Sequence, residues 1–141
     1  MNRLAAILLA LALVPTPAAA EEVPVRVRVL KGARQGPAKV DARLNDLKKQ
    51  LGKLSYQRWE QVSDQRLTMA DKKTQYVDLP TGDHVGLTLQ DVRGETVTFE
   101  VALAQRNTMS RLTIDKVQRI VHQVSGEKDG VAYFVTVHAW P

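Results

Sequence analysis

The spacing of apolar residues in the first third of the chain predicts a strand followed by a helix. Valines stand at every second position over residues 23–29, which predicts a strand with one buried face. Pro24 cannot donate to a neighbouring strand, so we expect it at a sheet edge or at the strand's start. Pro37 is suited to the first turn of a helix. Apolar residues at intervals of three or four then predict an amphipathic helix of about four turns, with Val40, Leu44, Leu47, Leu51 and Leu54 along its buried stripe.

The remainder of the chain consists mainly of short runs that are typical of strands. Alternating apolar residues and turn-forming residues predict strands at 56–62, around 67–69, and at 75–79, 84–90, 96–104 and 131–139. The two runs on either side of 91–94 should form an antiparallel hairpin. The patterns predict an α+β domain over residues 21–141. In it, one N-terminal amphipathic helix follows the first strand and covers a mostly antiparallel sheet of about six to eight strands.

Residues 113–124 are compatible with two interpretations. Ile114, Val117, Val121 and Val124 have helical spacing, yet the stretch is rich in β-branched residues, which favours a strand. We interpret it as a strand that pairs with the last one and places His122 opposite Ala132. His138 would then lie roughly 20 Å away at 3.3 Å per residue, too far to share a metal with His122.

The first twenty residues have the three parts of a secretory signal peptide. Arg3 supplies a positive charge, Leu4–Val14 is an unbroken apolar run, and Ala18–Ala20 provides the small residues that a signal peptidase recognises. A membrane span needs about 20 apolar residues, so this run is too short for one. We predict cleavage after Ala20, a periplasmic or secreted protein of a Gram-negative bacterium, and a mature chain without a transmembrane segment.

Residue composition argues against most catalytic and cofactor chemistry. The chain has no cysteine, which excludes disulfides, cysteine-ligated metals and cysteine nucleophiles. Its three histidines are widely separated, and its four serines lie outside the motifs that activate a serine nucleophile. The carboxylates are scattered along the chain. We therefore predict no catalytic residue, no cofactor and no metal site.

Charge is the most informative feature of the composition. The formal net charge is +5, but residues 23–58 alone hold ten basic and two acidic residues. This bias predicts a surface for a polyanion or an acidic partner; the alternative is a solvated face that keeps the protein soluble. Aromatic residues are few, so a nucleic acid is not the expected partner. The candidate anion- or partner-binding residues are Arg26, Arg28, Lys31, Arg34, Lys39, Lys48, Lys49 and Lys53.

The order of features resembles that of small exported proteins of Gram-negative bacteria that have no assigned role. The resemblance lies in the signal peptide, the alternating valines, the turn Leu79-Pro80-Thr81-Gly82 and the closing Asp129-Gly130-Val131. It implies an exported α+β domain and transfers no catalytic or binding residue.

Three functions remain as hypotheses. The first is a non-catalytic exported domain that binds an unidentified protein or envelope component, or that supports an envelope assembly. The alternative is a polyanion-binding or inhibitor-like protein that uses the basic segment 26–58. The third is a hydrolase whose site the sequence does not reveal.

Overall fold

Strands make up most of the part of the chain that the computed structural model describes, residues 22–103, 108–115 and 120–139. The predicted signal peptide lies outside these residues. A 3-10 helix, Ala42–Leu47, leads directly into helix α1, Lys48–Leu51. The strands of the described part are β1 Glu22–Ala33, β2 Lys39–Val40, β3 Arg58–Ala70, β4 Thr74–Asp78, β5 His84–Arg93, β6 Thr96–Leu103, β7 Thr108–Asp115, β8 Ile120–Gln123 and β9 Val131–Ala139.

The strands form two sheets. Sheet A has the order β2-β3-β1-β9-β8, and sheet B has the order β4-β5-β6-β7. All neighbouring strands are antiparallel except β2 and β3, which are parallel. The chain is thus mostly β with one short helix. The expected single sheet is instead two sheets packed face to face, and the helical segment lies on the outer face of sheet A, because the central strands of sheet A are apolar on both faces.

Sheet A carries a buried apolar cluster on each of its two faces. Towards sheet B it contributes the alternating valines of β1, which pack against residues such as Leu87, Leu89 and Phe99. On its other face, a second cluster joins the helix to the sheet; its buried members are Leu30, Leu44, Leu47, Leu51, Trp59, Ala132 and Phe134. The central strands therefore need apolar residues at successive positions, as at Val29 and Leu30, which are both fully buried.

The predicted four-turn helix that begins at Pro37 is wrong in both its start and its length. Lys39 and Val40 instead pair with Arg58 and Trp59 of β3. The helical segment begins only after Asp41, whose side chain accepts a hydrogen bond from the Arg43 amide at 3.1 Å. Pairing with β3 gives residues 39–40 main-chain hydrogen-bond partners that a helix start would not provide. Asp41 then caps the helical segment, which favours a helix that begins at residue 42.

Two further expectations about strands need correction. The separate strands at 56–62 and 67–69 are one strand, β3, with a bulge opposite Val29 and Leu30. The described residues of 113–124 are strand, as interpreted, but they belong to two strands rather than one: β7 pairs with β6 in sheet B, and β8 pairs with β9 in sheet A. However, His122 pairs with Val135 rather than with Ala132. The chain before β9 forms a wider loop than expected, in which Ser125 Oγ accepts the Tyr133 amide at 2.8 Å.

Candidate anion-binding groove

A groove of about 700 Å³ lies where the end of β1 meets the beginning of β3. Lys31 and Ala33 continue the β1 face that carries the core valines, but they are only half buried. The volume is within the usual range for a ligand site, roughly 300–1,000 Å³. The charged residues that line the groove are the cations Lys31, Lys39, Arg43 and Arg58 and the carboxylates Asp41 and Glu60.

Strand pairing aligns four lining residues in one row across sheet A. Lys39 of β2 is the partner of Arg58 of β3, Arg58 is the partner of Ala33 of β1, and Ala33 is the partner of Val131 of β9. Residues paired in this way share a face of the sheet, and neighbouring strands lie about 4.8 Å apart. The row therefore has two cations at one end and two small apolar side chains at the other.

The two cations at the end of this row, Lys39 and Arg58, lie side by side without a direct ion-pair partner among the described residues. Like charges directly opposite each other on neighbouring strands are destabilising. An anion placed between them would relieve that repulsion, and an arginine can hold a phosphate or carboxylate with two hydrogen bonds.

Asp41 and Arg43 build the wall of the groove and balance each other. Arg43 Nη2 donates to Asp41 Oδ2 at 2.7 Å, and the same oxygen accepts the Gln61 amide at 3.2 Å. The Arg43 guanidinium, with the amides of Arg43 and Gln61, holds the pKa of the Asp41 carboxyl well below its usual range. The carboxylate in turn raises the pKa of Arg43. This pair ties the helix start to the edge of β3.

Arg26 and Arg28, both expected at a binding surface, form ion pairs within the fold. Arg26 binds both carboxylate oxygens of Asp64, at 2.9 and 2.6 Å, which raises the pKa of the arginine and lowers that of Asp64. Arg28 is only 2% exposed and binds both oxygens of Asp46, at 3.0 and 2.7 Å. Arg28 therefore fastens the helical segment to sheet A.

Arg34 also serves the fold. It pairs with Glu127, donates to the Ser55 carbonyl at 3.2 Å, and lies 4.8 Å from the ring centre of Tyr56. The pairing raises the pKa of Arg34 and lowers that of Glu127. These contacts connect three loops at one end of sheet A.

Lys48, Lys49 and Lys53 are exposed and lie apart from the groove. They belong to α1 and the residues just after it, and α1 contacts β8. In sheet A, β8 is the edge opposite β2. The eight candidate residues thus fall into three groups. Lys31 and Lys39 line the groove, three arginines form ion pairs within the fold, and three lysines lie near the other edge of sheet A.

Arg43 and Arg58 line the groove but are not among the candidates. Both lie in the basic segment, so the charge count includes them. Their place in the groove depends on the pairing of Lys39 with Arg58, which are 19 positions apart in the chain. The helix predicted through residue 39 excluded that pairing.

The histidines do not form a site in the described part of the chain. His84 lies beside Asp78 on sheet B, with Nδ1 2.5 Å from Oδ1. His122 is beside Val135, which faces sheet B. Partial burial lowers the pKa of the His122 imidazole. His138 is the partner of Arg26, on the opposite face of sheet A. Within residues 22–103, 108–115 and 120–139, no three His, Cys, Asp or Glu side chains are grouped to hold a metal.

Comparison with known proteins gives no relative: no family model, no curated protein and no solved structure matches the chain. Among the described residues, no helix is both long enough and apolar enough to cross a membrane.

Proposed function

We propose that this protein is an exported, non-catalytic binding domain whose groove receives the anionic group of an envelope component or of an acidic partner. The observation that carries the proposal is the pairing of Lys39 with Arg58. Two cations without an ion-pair partner among the described residues lie side by side at the rim of a ligand-sized groove. A bound anion removes their repulsion and gains charge-assisted hydrogen bonds.

The position of the groove in the fold supports a preformed site. Lys39 and Arg58 are carried by paired strands, and the wall beside them is held by the Asp41–Arg43 pair. Sites carried on paired strands lose less free energy to the ordering of the backbone on binding. The signal peptide predicted over residues 1–20 adds the expectation that the ligand is met in the periplasm or outside the cell.

The first experiment compares two charge variants on a heparin column at low salt. The groove variant is Lys39→Gln with Arg58→Gln, and the control is Lys48→Gln with Lys49→Gln and Lys53→Gln. Native protein should be retained, and added salt should release it because the Debye length falls from about 10 Å at 0.1 M to about 3 Å at 1 M. The groove variant should elute clearly earlier, whereas the control should elute with native protein.

The control removes three positive charges and the groove variant removes only two. If retention depended on net charge alone, the control would therefore elute before the groove variant. That order, or equal retention of all three proteins, would overturn the proposal and leave a partner-binding domain without a located surface. Circular dichroism should show that both variants are folded, since exposed substitutions usually change stability by less than about 0.5 kcal/mol each.

A further inference from the structure

We infer that the ligand of this groove is an amphiphilic anion, with a phosphate or carboxylate head on an alkyl body. The inference rests on the proposed function and adds the chemical class of the ligand. It comes from the order of side chains in the row Lys39–Arg58–Ala33–Val131, which changes from cationic to apolar across four strands. Three strand spacings separate its ends, about 14 Å.

The cationic end suits the head group. Lys39 and Arg58 are neighbours without ion-pair partners in the described structure, and both side chains are exposed. The aliphatic part of Arg58 lies against Gly36, since a Cβ built at Gly36 would be 2.8 Å from Arg58 Cδ. The guanidinium lies there too, since its Nη1 would be 3.0 Å from the same Cβ.

The apolar end suits an alkyl chain. Ala33 and Val131 line the groove and are only partly buried, so each has apolar surface still to bury. In the next row, Tyr133 of β9 lies beside Lys31 of β1, on the same face as Ala33 and Val131. Burying apolar surface on this side gains about 25 cal/mol per Å².

The arrangement argues against a uniformly charged polymer as the natural ligand. Such a polymer needs cations along the whole groove, but the carboxylates Asp41 and Glu60 also line it, and its β9 side carries Val131. A small inorganic anion would leave that side uncovered. A molecule with one charged head and an apolar body matches both ends.

The test measures binding of four probes by titration, with NMR amide shifts to locate the site. The probes are inorganic phosphate, butyl phosphate, octyl phosphate and octyl glucoside, each below its micelle concentration. A fully buried methylene gives about a fourfold gain in affinity. Octyl phosphate should therefore bind at least about tenfold more tightly than butyl phosphate, and octyl glucoside should bind far more weakly, with shifts at residues 31–33, 58–60 and 131.

Two variants separate the head from the body. Lys39→Gln with Arg58→Gln should weaken all three phosphates. Val131→Thr keeps the side-chain shape but replaces a methyl by a hydroxyl, so it should weaken octyl phosphate several-fold and leave inorganic phosphate unchanged. Ala33→Ser makes the same test at the neighbouring position should Val131→Thr prove unfolded.

The outcomes distinguish this inference from the proposed function. Equal affinity for the three phosphates at the groove would overturn the amphiphile and leave the anion site standing. Absence of phosphate binding, or shifts confined to other surfaces, would overturn both. Octyl glucoside binding as tightly as octyl phosphate would show a plain apolar site and overturn the need for a charged head.

Discussion

At the scale of single residues, Gly36 in the loop after β1 leaves the space that the side chain of Arg58 occupies. Its φ of +95° lies in the region that glycine adopts freely and other residues avoid. Glycine is thus favoured at residue 36 both by its backbone conformation and by the contact with Arg58. A glycine with a similar φ but no such contact can serve as a control that separates the two effects.

We predict that Gly36→Ala weakens retention on heparin without changing the charge of the protein. The new Cβ would lie 2.8 Å from Arg58 Cδ, so the arginine must move. Gly82→Ala is the control, because Gly82 has a φ of +89° but no atom within 4 Å of an added Cβ. Each variant should lose about 1–2 kcal/mol of unfolding free energy from the left-handed backbone, and only Gly36→Ala should elute earlier. Equal retention of the two would contradict the prediction that the position of Arg58 beside Gly36 matters for binding.

At the scale of elements, the helical segment is stable because of what it contacts. Its ten residues, Ala42–Leu51, are too few to form a stable helix alone in water. Three buried leucines, the ion pair from Asp46 to Arg28 and the cap at Asp41 hold it on sheet A. Together these contacts explain why the segment is helical although it is too short to be stable by itself.

Leu47→Ala should therefore cost about 2–5 kcal/mol of unfolding free energy, the usual range for a fully buried leucine. Leu47 is 0% exposed and belongs to the cluster that contains Trp59 and Phe134. Lys49→Ala, on the exposed side of α1, is the control and should stay within about 0.5 kcal/mol. Chemical denaturation measures both. A loss below about 1 kcal/mol at Leu47 would show that the segment contributes little to folding.

At the scale of the whole molecule, sheet A is the layer shared by two cores. Its inner face packs on sheet B, and its outer face packs on the helical segment. With no cysteine in the chain, the fold depends on these two cores and on ion pairs such as Arg28–Asp46. The groove lies at an end of this layer, where the face that carries the inner core becomes polar.

Export is the prediction that concerns the entire chain. The apolar run Leu4–Val14 followed by Ala18–Ala20 should direct secretion and cleavage. The mature protein should begin at Glu21, which mass spectrometry of the exported protein measures. Retention of Met1 or Asn2 in that protein would contradict the cleavage.

Local patterns predicted the elements whose signal is contained in a few neighbouring residues. Alternation identified β1, β6 and β9, because the period of two reflects the geometry of a single strand. It also identified the hairpin of β5 and β6, whose strands are joined by a short turn. Alternation did not predict that β5 and β6 belong to a different sheet from β1 and β9. An apolar strand face shows only that something packs on it, and a helix or a second sheet would produce the same pattern.

The sequence by itself determined the alternating apolar positions of β1 and β6, that most of the chain is strand, and that the positive charge is concentrated in residues 23–58. Only the tertiary structure decided which of these charges are available. Arg28 meets Asp46 across 18 positions, and Arg34 meets Glu127 across 93, so both are neutralised by partners that only folding brings near. The pairing that places Lys39 beside Arg58 is equally non-local. Charge depends on residue identity, whereas ion pairing and strand register depend on distances that are defined only once the two sheets and the helix have packed.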